Sequence, residues 1–166
     1  MRRERGPYRY RRLQVLEGYG NDAYRAARKP AGAIQCTRCG AVFHKGRWSW
    51  RAAPPGAKKQ RCPACRRIDE RFPAGYVRLS GEFFEARRDE VLARVRHCET
   101  QEKAEHPLER IIAVENDGGG ALVTTTSGHL ARLVGHALKS AFGGRLSITY
   151  NRQDNLARVR WQRASA

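Results

Sequence analysis

This chain is short of acid relative to base. Against 33 Lys and Arg stand 16 Asp and Glu in 166 residues, a formal charge of +17 and a pI near 10.7, which places it among proteins whose natural partner is a polyanion. Long apolar runs are missing as well. In the first 30 residues Leu13, Val15 and Leu16 are isolated among charges, so no apolar run there resembles a secretory leader and none is expected, and no stretch approaches the roughly 20 apolar residues of a membrane span. These absences predict a soluble cytoplasmic protein with no membrane partner. No set of nucleophile, base and acid emerges either, so neither catalysis nor a small-molecule substrate is expected. Gly118-Gly119-Gly120 has neither the Walker spacing nor a Gly-Lys-Ser/Thr ending, and it reads as a hairpin turn. His129 and His136 lie seven apart on one helical stretch with no carboxylate partner suggested by local sequence, and they read as ordinary histidines.

Residues 34–73 are poor in large aliphatic side chains, holding only Ile34, Val42 and Ile68, so burial alone cannot hold a segment of that size. That shortage gives meaning to four cysteines set as Cys36-x-x-Cys39 and Cys62-x-x-Cys65. Two such pairs can close a tetrahedral all-thiolate zinc site, and structural zinc supplies on the order of 10–16 kcal/mol of apparent binding free energy. A redox pair or two disulfides are the other readings, but a redox pair would not need a matched second pair. Four thiolates leave no open position for water, which argues against hydrolytic zinc chemistry. Gly40 suits a tight turn after the second ligand, where positive φ is common. Pro63 fits a first helical position, so Cys62 and Cys65 are expected on the first turn of a helix. Knuckle, hairpin and ligand-bearing helix together predict a treble-clef-like finger over 34–73. Cys98, far from both pairs, reads as a buried small hydrophobe rather than a fifth ligand.

The excess charge is local. Residues 1–73 hold 19 basic and 5 acidic side chains, net +14; residues 74–106 hold 6 and 7, net −1; residues 107–166 hold 8 and 4, net +4. Of the 33 cations 27 are arginine, whose planar fork grips phosphate and stacks on bases. Tyr8, Tyr10, Tyr19 and Tyr24 alternate with Arg9, Arg11, Arg12 and Arg25, and Trp48 and Trp50 stand beside Arg47 and Arg51. Such interleaving suits unpaired bases and irregular RNA more than duplex DNA. The expected RNA contacts are Arg2, Arg3, Arg5, Arg9, Arg11 and Arg12 in a basic arm of residues 1–33, and Lys45, Arg47, Trp48, Trp50, Arg51, Lys58, Lys59, Arg61, Arg66 and Arg67 in the finger. For the two tryptophans packing on the finger's own helix is an equal reading. The arm has too little hydrophobic periodicity to fold alone, although residues 10–29 could become helical against a partner.

From residue 74 to 166 the pattern becomes that of a compact α/β domain with its own core. Residues 76–84 read as a strand with a glycine irregularity. Residues 86–104 read as an amphipathic helix with Val91, Leu92, Val95 and Cys98 inward. Residues 110–115 and 121–126 form a hairpin, Ser127 caps a second helix that Gly143-Gly144 stops, and residues 145–150 and 156–161 form a last hairpin. Strand, helix, strand, strand, helix, strand with one added strand predicts a two-layer split βαβ, ferredoxin-like domain with two helices on one face of an antiparallel sheet. Along the last strand Arg158 and Arg160 alternate with Val159 and Trp161, so one set is core and the other faces out.

Cys62-Pro63-Ala64-Cys65-Arg66-Arg67, the Gly75-Tyr76 strand into a charged helix, Thr126-Ser127-Gly128-His129-Leu130-Ala131-Arg132, and Phe142-Gly143-Gly144 into a hairpin together resemble a short, prokaryotic form of the nonsense-mediated-decay protein three family. Its members are adaptors on the large ribosomal subunit during late assembly and export. The resemblance spans about residues 36–163. The familiar members carry further Cys-x-x-Cys pairs and downstream domains that this sequence does not show. The resemblance implies a zinc-stabilised binder of rRNA or of a ribosomal subunit; taken with the charge and the cysteines, the expectation is a zinc-dependent RNA-binding protein that docks on the ribosome and acts in assembly, rescue or storage of idle ribosomes. A DNA-binding transcriptional regulator and a protein-interaction scaffold with an incidental basic surface are the rivals from other classes.

Overall fold

In the computed structural model of the chain, the residues described are Tyr24, 30–151 and 156–165. The arm contacts Arg2, Arg3, Arg5, Arg9, Arg11 and Arg12, almost all of the helix anticipated over 10–29, and the turn before the last strand lie outside them. Two sheets and four helices of a mixed α+β architecture are seen among these residues.

The first sheet is small and held by backbone pairing more than by packing. Strands β1 (Ile34–Gln35), β2 (Val42–His44), β3 (Arg47–Ser49) and β4 (Lys58–Lys59) lie in the order β3-β2-β1-β4. β2 and β3 form a hairpin whose turn residues Lys45 and Gly46 both have positive φ, 50° and 84°; this is the mirror-image turn that matches strand twist. β4 pairs parallel to β1. The chain then enters α1 (Pro63–Asp69), where Pro63 occupies the first turn as its missing N–H allows. The helix ends with Arg71 in the left-handed region at φ 49° and with Phe72 N–H donating back to the Arg67 carbonyl at 2.9 Å, a C-terminal turn that usually takes glycine.

The second sheet contains β5 (Gly75–Ser80), β6 (Ile111–Asp117), β7 (Gly120–Thr125), β8 (Arg145–Asn151) and β9 (Leu156–Gln162) in the order β6-β7-β5-β9-β8. Between them run α2 (Glu82–Ala86), α3 (Arg88–Glu105) and α4 (Gly128–Phe142). Alternation decides which side is core. Val77 and Leu79 of β5, Ala121 and Val123 of β7, and Val159 and Trp161 of β9 are buried, and they form one cluster with Val91, Val95 and Cys98 of α3 and Leu130, Val134 and Leu138 of α4. Each fully buried Val or Leu contributes about 1.5–3 kcal/mol of transfer free energy. Trp161 is fully buried, edge-on to Phe83 at 6.3 Å, with its indole N–H donating to the Gly143 carbonyl at 2.8 Å. Ser127 caps α4 by accepting from Leu130 N at 3.0 Å. The Gly118-Gly119 pair, at φ 52° and 86°, turns β6 into β7 as a hairpin.

Two expectations are corrected. Residues 76–84 are not one strand: Gly81, at φ 100°, ends β5, and Phe83 and Phe84 bury their rings from the short helix α2. A Cβ at position 81 would lie 2.2 Å from the Arg163 carbonyl oxygen, so only glycine fits where the chain leaves the sheet. The sheet is also mixed rather than antiparallel throughout. β9 inserts between β5 and β8 and pairs parallel to β5, with Val77 opposite Val159 and Leu79 opposite Trp161. That register places the most apolar part of β9 at the centre of the core, where an edge position would leave it half covered.

Candidate metal centre and basic surface

The four expected ligands converge from two turns. Cys36, Cys39 and Gly40 form the first: Gly40 N–H donates to the Cys36 carbonyl at 3.1 Å and Cys36 N–H to the Ala41 carbonyl at 2.8 Å, with Gly40 in the left-handed region at φ 79°. Cys62 is the N-cap of α1 and its Sγ accepts from Cys65 N–H at 3.4 Å. The four sulfurs of Cys36, Cys39, Cys62 and Cys65 lie within 4.8 Å of one another. Cys39 and Cys62 sulfurs are 3.8 Å apart, and the edge of a tetrahedron with metal–sulfur bonds of 2.3 Å is roughly 3.8 Å. The donor set, its spacing and its burial therefore fit a metal ion held by four thiolates. Cys98 is not part of it: it is buried in the helix–sheet core, where desolvation raises its thiol.

Backbone amides support the charge on sulfur. Cys36 Sγ accepts from Cys62 N–H at 3.3 Å and Arg38 N–H at 3.5 Å. Burial opposes its ionisation, but backbone N–H groups of Cys39, Cys62 and Arg38 pull the thiol down to about 6. Burial pushes Cys62 and Cys65 up instead; the sulfurs of Cys39 and Cys65 add to the rise at Cys62, whereas the hydrogen bond with Cys62 and the Arg110 guanidinium work against it at Cys65.

The sequence did not reveal what covers the centre from the other side. Arg110, at the entry to β6 and 7% exposed, donates from Nη1 to Cys65 Sγ at 3.3 Å. Its Nε donates to the Pro107 carbonyl at 2.8 Å, and its backbone N–H to Thr126 Oγ at 2.9 Å. Burial works against its charge, yet Cys39 and Cys65 together hold the guanidinium protonated beyond its ordinary range. Leu108 packs on the same cysteine cluster. An arginine opening a β-rich run carries no local signal of this role, because it acts across 45 residues of sequence.

The basic side chains divide into committed and uncommitted ones. Lys45, Arg47, Arg51, Lys58 and Lys59 are exposed on the hairpin turn, the edge strand β3, the loop after it and the edge strand β4, with Lys59 hydrogen-bonded to Gln35. Arg61 and Arg38 both pair with Asp69. Arg66 sits half-buried 5.0 Å from the Tyr24 ring. Arg67 is turned inward at 5% exposure. Its guanidinium lies 4.6 Å from the Tyr24 ring and 5.6 Å from Phe72, and it donates to the Phe72 carbonyl at 3.0 Å. Tyr24, whose hydroxyl donates to Glu70, thus packs on the C-terminal end of α1.

Trp48 packs tilted on Phe43 at 5.6 Å and against the cysteine cluster. Trp50 leaves the finger altogether: its indole N–H donates to the Lys103 carbonyl of α3 at 2.6 Å, and the Arg110 guanidinium lies 5.7 Å from its ring. Trp48 thus packs within the 34–73 segment, on a cluster that includes Ala64 and Cys65 of α1, whereas Trp50 packs on α3 and Arg110 and keeps 40% of its surface exposed. His129, for which no carboxylate was foreseen, has Glu102 of α3 at 3.4 Å.

Comparison of the chain with protein-family models, with curated proteins and with solved structures returned no match. Among the described residues no helix is long and apolar enough to cross a membrane. The class that fold and site define is a mixed α+β protein with two sheets and a cluster of four cysteines whose geometry fits a metal ion.

Proposed function

We propose that the chain is a zinc-dependent RNA-binding protein that associates with rRNA or a ribosomal subunit in the cytoplasm. Zinc is the metal of choice for four thiolates in a closed tetrahedral set, where it serves structure and leaves no site for catalysis. Cys36, Cys39, Cys62 and Cys65 would hold it, and the knuckle, hairpin and ligand-bearing α1 are the parts of a treble-clef-like finger. The helix-sheet unit is read as a split βαβ, ferredoxin-like layout extended by β9. The observation that carries the RNA reading is the exposure of Lys45, Arg47, Arg51, Lys58 and Lys59 on the finger, adjoining an arm that brings residues 1–73 to +14. Phosphate neutralisation of this kind supplies affinity without demanding a base sequence. The relationship to the nonsense-mediated-decay protein three family is part of this proposal and would make the partner the large subunit.

A DNA-binding regulator is less well supported, because α1 has seven residues and buries Ala64, Cys65 and Arg67, leaving little of it to enter a major groove. The experiment is direct competition between a structured rRNA fragment and duplex DNA of equal length for the zinc-loaded protein, at several salt concentrations. The proposal expects the rRNA fragment to win. Equal or tighter binding of the duplex replaces it with the regulator.

A further inference from the structure

The face of the five-stranded sheet turned away from the helices belongs to none of the features above. Its side chains follow from register. Because Val77, Leu79, Val159 and Trp161 point into the core, Tyr76 and Arg78 of β5 and Arg158 and Arg160 of β9 point the other way. Tyr76 is directly paired with Arg158, and Arg78 with Arg160. On the outer strand β8, Thr149 stands opposite Arg158 and Ser147 opposite Arg160. Arg78, Arg158, Arg160, Ser147 and Thr149 are exposed, and Tyr76 is half-buried.

Charge on this face is graded. At the β6 end Asp117 pairs with Arg78 at 2.7 Å, and Glu115 is opposite Leu122. At the other end the described residues of β8 and β9 carry no acidic side chain at all, and Arg158 and Arg160 have no ion-pair partner among the described residues. Alternation sets the backbone positions of these two arginines roughly 6.7 Å apart along the strand, with a neighbouring strand about 4.8 Å to each side. Two arginine forks without an ion-pair partner among the described residues, two hydroxyls and an aromatic ring on one sheet face are the groups that take phosphates, sugars and one unstacked base.

We infer that the β5-β9-β8 half of the open sheet face is a second RNA contact, and that it binds a single strand, with Arg158 and Arg160 on phosphates and Tyr76 under a base. This rests on the RNA-binding reading and extends it to a surface outside the finger. Duplex RNA is the wrong shape for it, because paired bases cannot reach Tyr76. An acidic protein would use the same arginines but not the ring.

The test uses the full zinc-loaded chain and a fluorescent single-stranded 12-nucleotide RNA read by anisotropy. Variants are the double charge reversal R158E/R160E, Tyr76→Ala, the finger reversal K58E/K59E and, as a matched control on the exposed side of α3, Arg96→Glu. Loss of two phosphate contacts weakens binding on the order of tenfold and flattens the log–log salt slope by about 1.4. Tyr76→Ala should also weaken RNA about tenfold while leaving polyglutamate competition unchanged. Photocrosslinking of a 4-thiouridine RNA to the unaltered protein, read by mass spectrometry, should label the peptide holding Tyr76, which guards against a variant that misfolds. If K58E/K59E weakens RNA while R158E/R160E matches Arg96→Glu and no crosslink forms on β5, β8 or β9, the sheet contact is refuted and the finger reading stands. If the unaltered protein binds no RNA, both fall. Polyglutamate displacing the RNA as well as unlabelled RNA does would reassign the face to an acidic protein and overturn the inference.

Discussion

Arg110→Met removes one guanidinium from the seam between the cysteine cluster and the β6–β7 end of the larger sheet. Methionine fills most of the volume, so the loss is chiefly polar. The Nη1 bond to Cys65 Sγ at 3.3 Å and the Nε bond to the Pro107 carbonyl at 2.8 Å both disappear. A hydrogen bond involving a charged group is worth about 1.5–3 kcal/mol net, and removing one partner of a buried pair can cost 3–5 kcal/mol. Four thiolates on a divalent cation carry a formal excess of two negative charges, and Arg110 is the buried cation that offsets part of it. Loss of such an outer partner weakens metal binding 10–100-fold, or about 1.4–2.8 kcal/mol. Total destabilisation of the metal-loaded protein should be about 2–4 kcal/mol. Zinc affinity is read by competition with a chromophoric chelator, and stability by urea unfolding followed by tryptophan fluorescence. The two readouts should fall together, because Leu108 and Arg110 belong to the larger unit while Cys65 belongs to the finger. If Arg110→Met holds zinc as tightly as the unaltered chain and unfolds within 0.5 kcal/mol of it, roughly the scatter of neutral surface changes, the seam is not coupled and the finger stands alone.

Cys98→Ser should retain about one zinc per chain by elemental analysis, since Cys98 is buried in the helix–sheet core rather than in the cluster; the buried hydroxyl should cost about 1–3 kcal/mol of stability. Arg71→Gly should raise stability by about 0.5–1 kcal/mol in denaturant melts, because Arg71 holds the left-handed conformation at φ 49° that glycine adopts freely. Deleting residues 1–30 should flatten the salt dependence of RNA binding without loss of zinc: an arm touching roughly six phosphates contributes a log–log slope near −4, and unchanged affinity after deletion would move the contact wholly to the structured part.

What was legible was local chemistry. Two Cys-x-x-Cys pairs, Gly40, Pro63 and Ser127 each act within a turn of chain, and each is found where its conformational preference directs it. The two helices and the hairpins followed from periodicity and from the glycines between β6 and β7. Long-range partnership was not legible. Nothing near β9 says that it pairs parallel with β5, because an alternating strand serves either direction equally well. Phe83 and Phe84 look like strand residues until Gly81 turns the chain out of the sheet. Arg67 and Arg61 count as free cations in a sequence, yet Tyr24 and Phe72 occupy the first and Asp69 the second. Arg110 was invisible for the same reason: its partner Cys65 belongs to another element, and only the assembled fold brings them together.

The most direct test of the central claim is sedimentation of cell lysate through a sucrose gradient, with the protein located by immunoblot at low and high salt and after treatment with a zinc chelator. A zinc-dependent binder of rRNA should travel with a ribosomal subunit at low salt, and should move to the top of the gradient when salt is raised or zinc removed. A protein that stays at the top under every condition, while still holding its zinc, would contradict it.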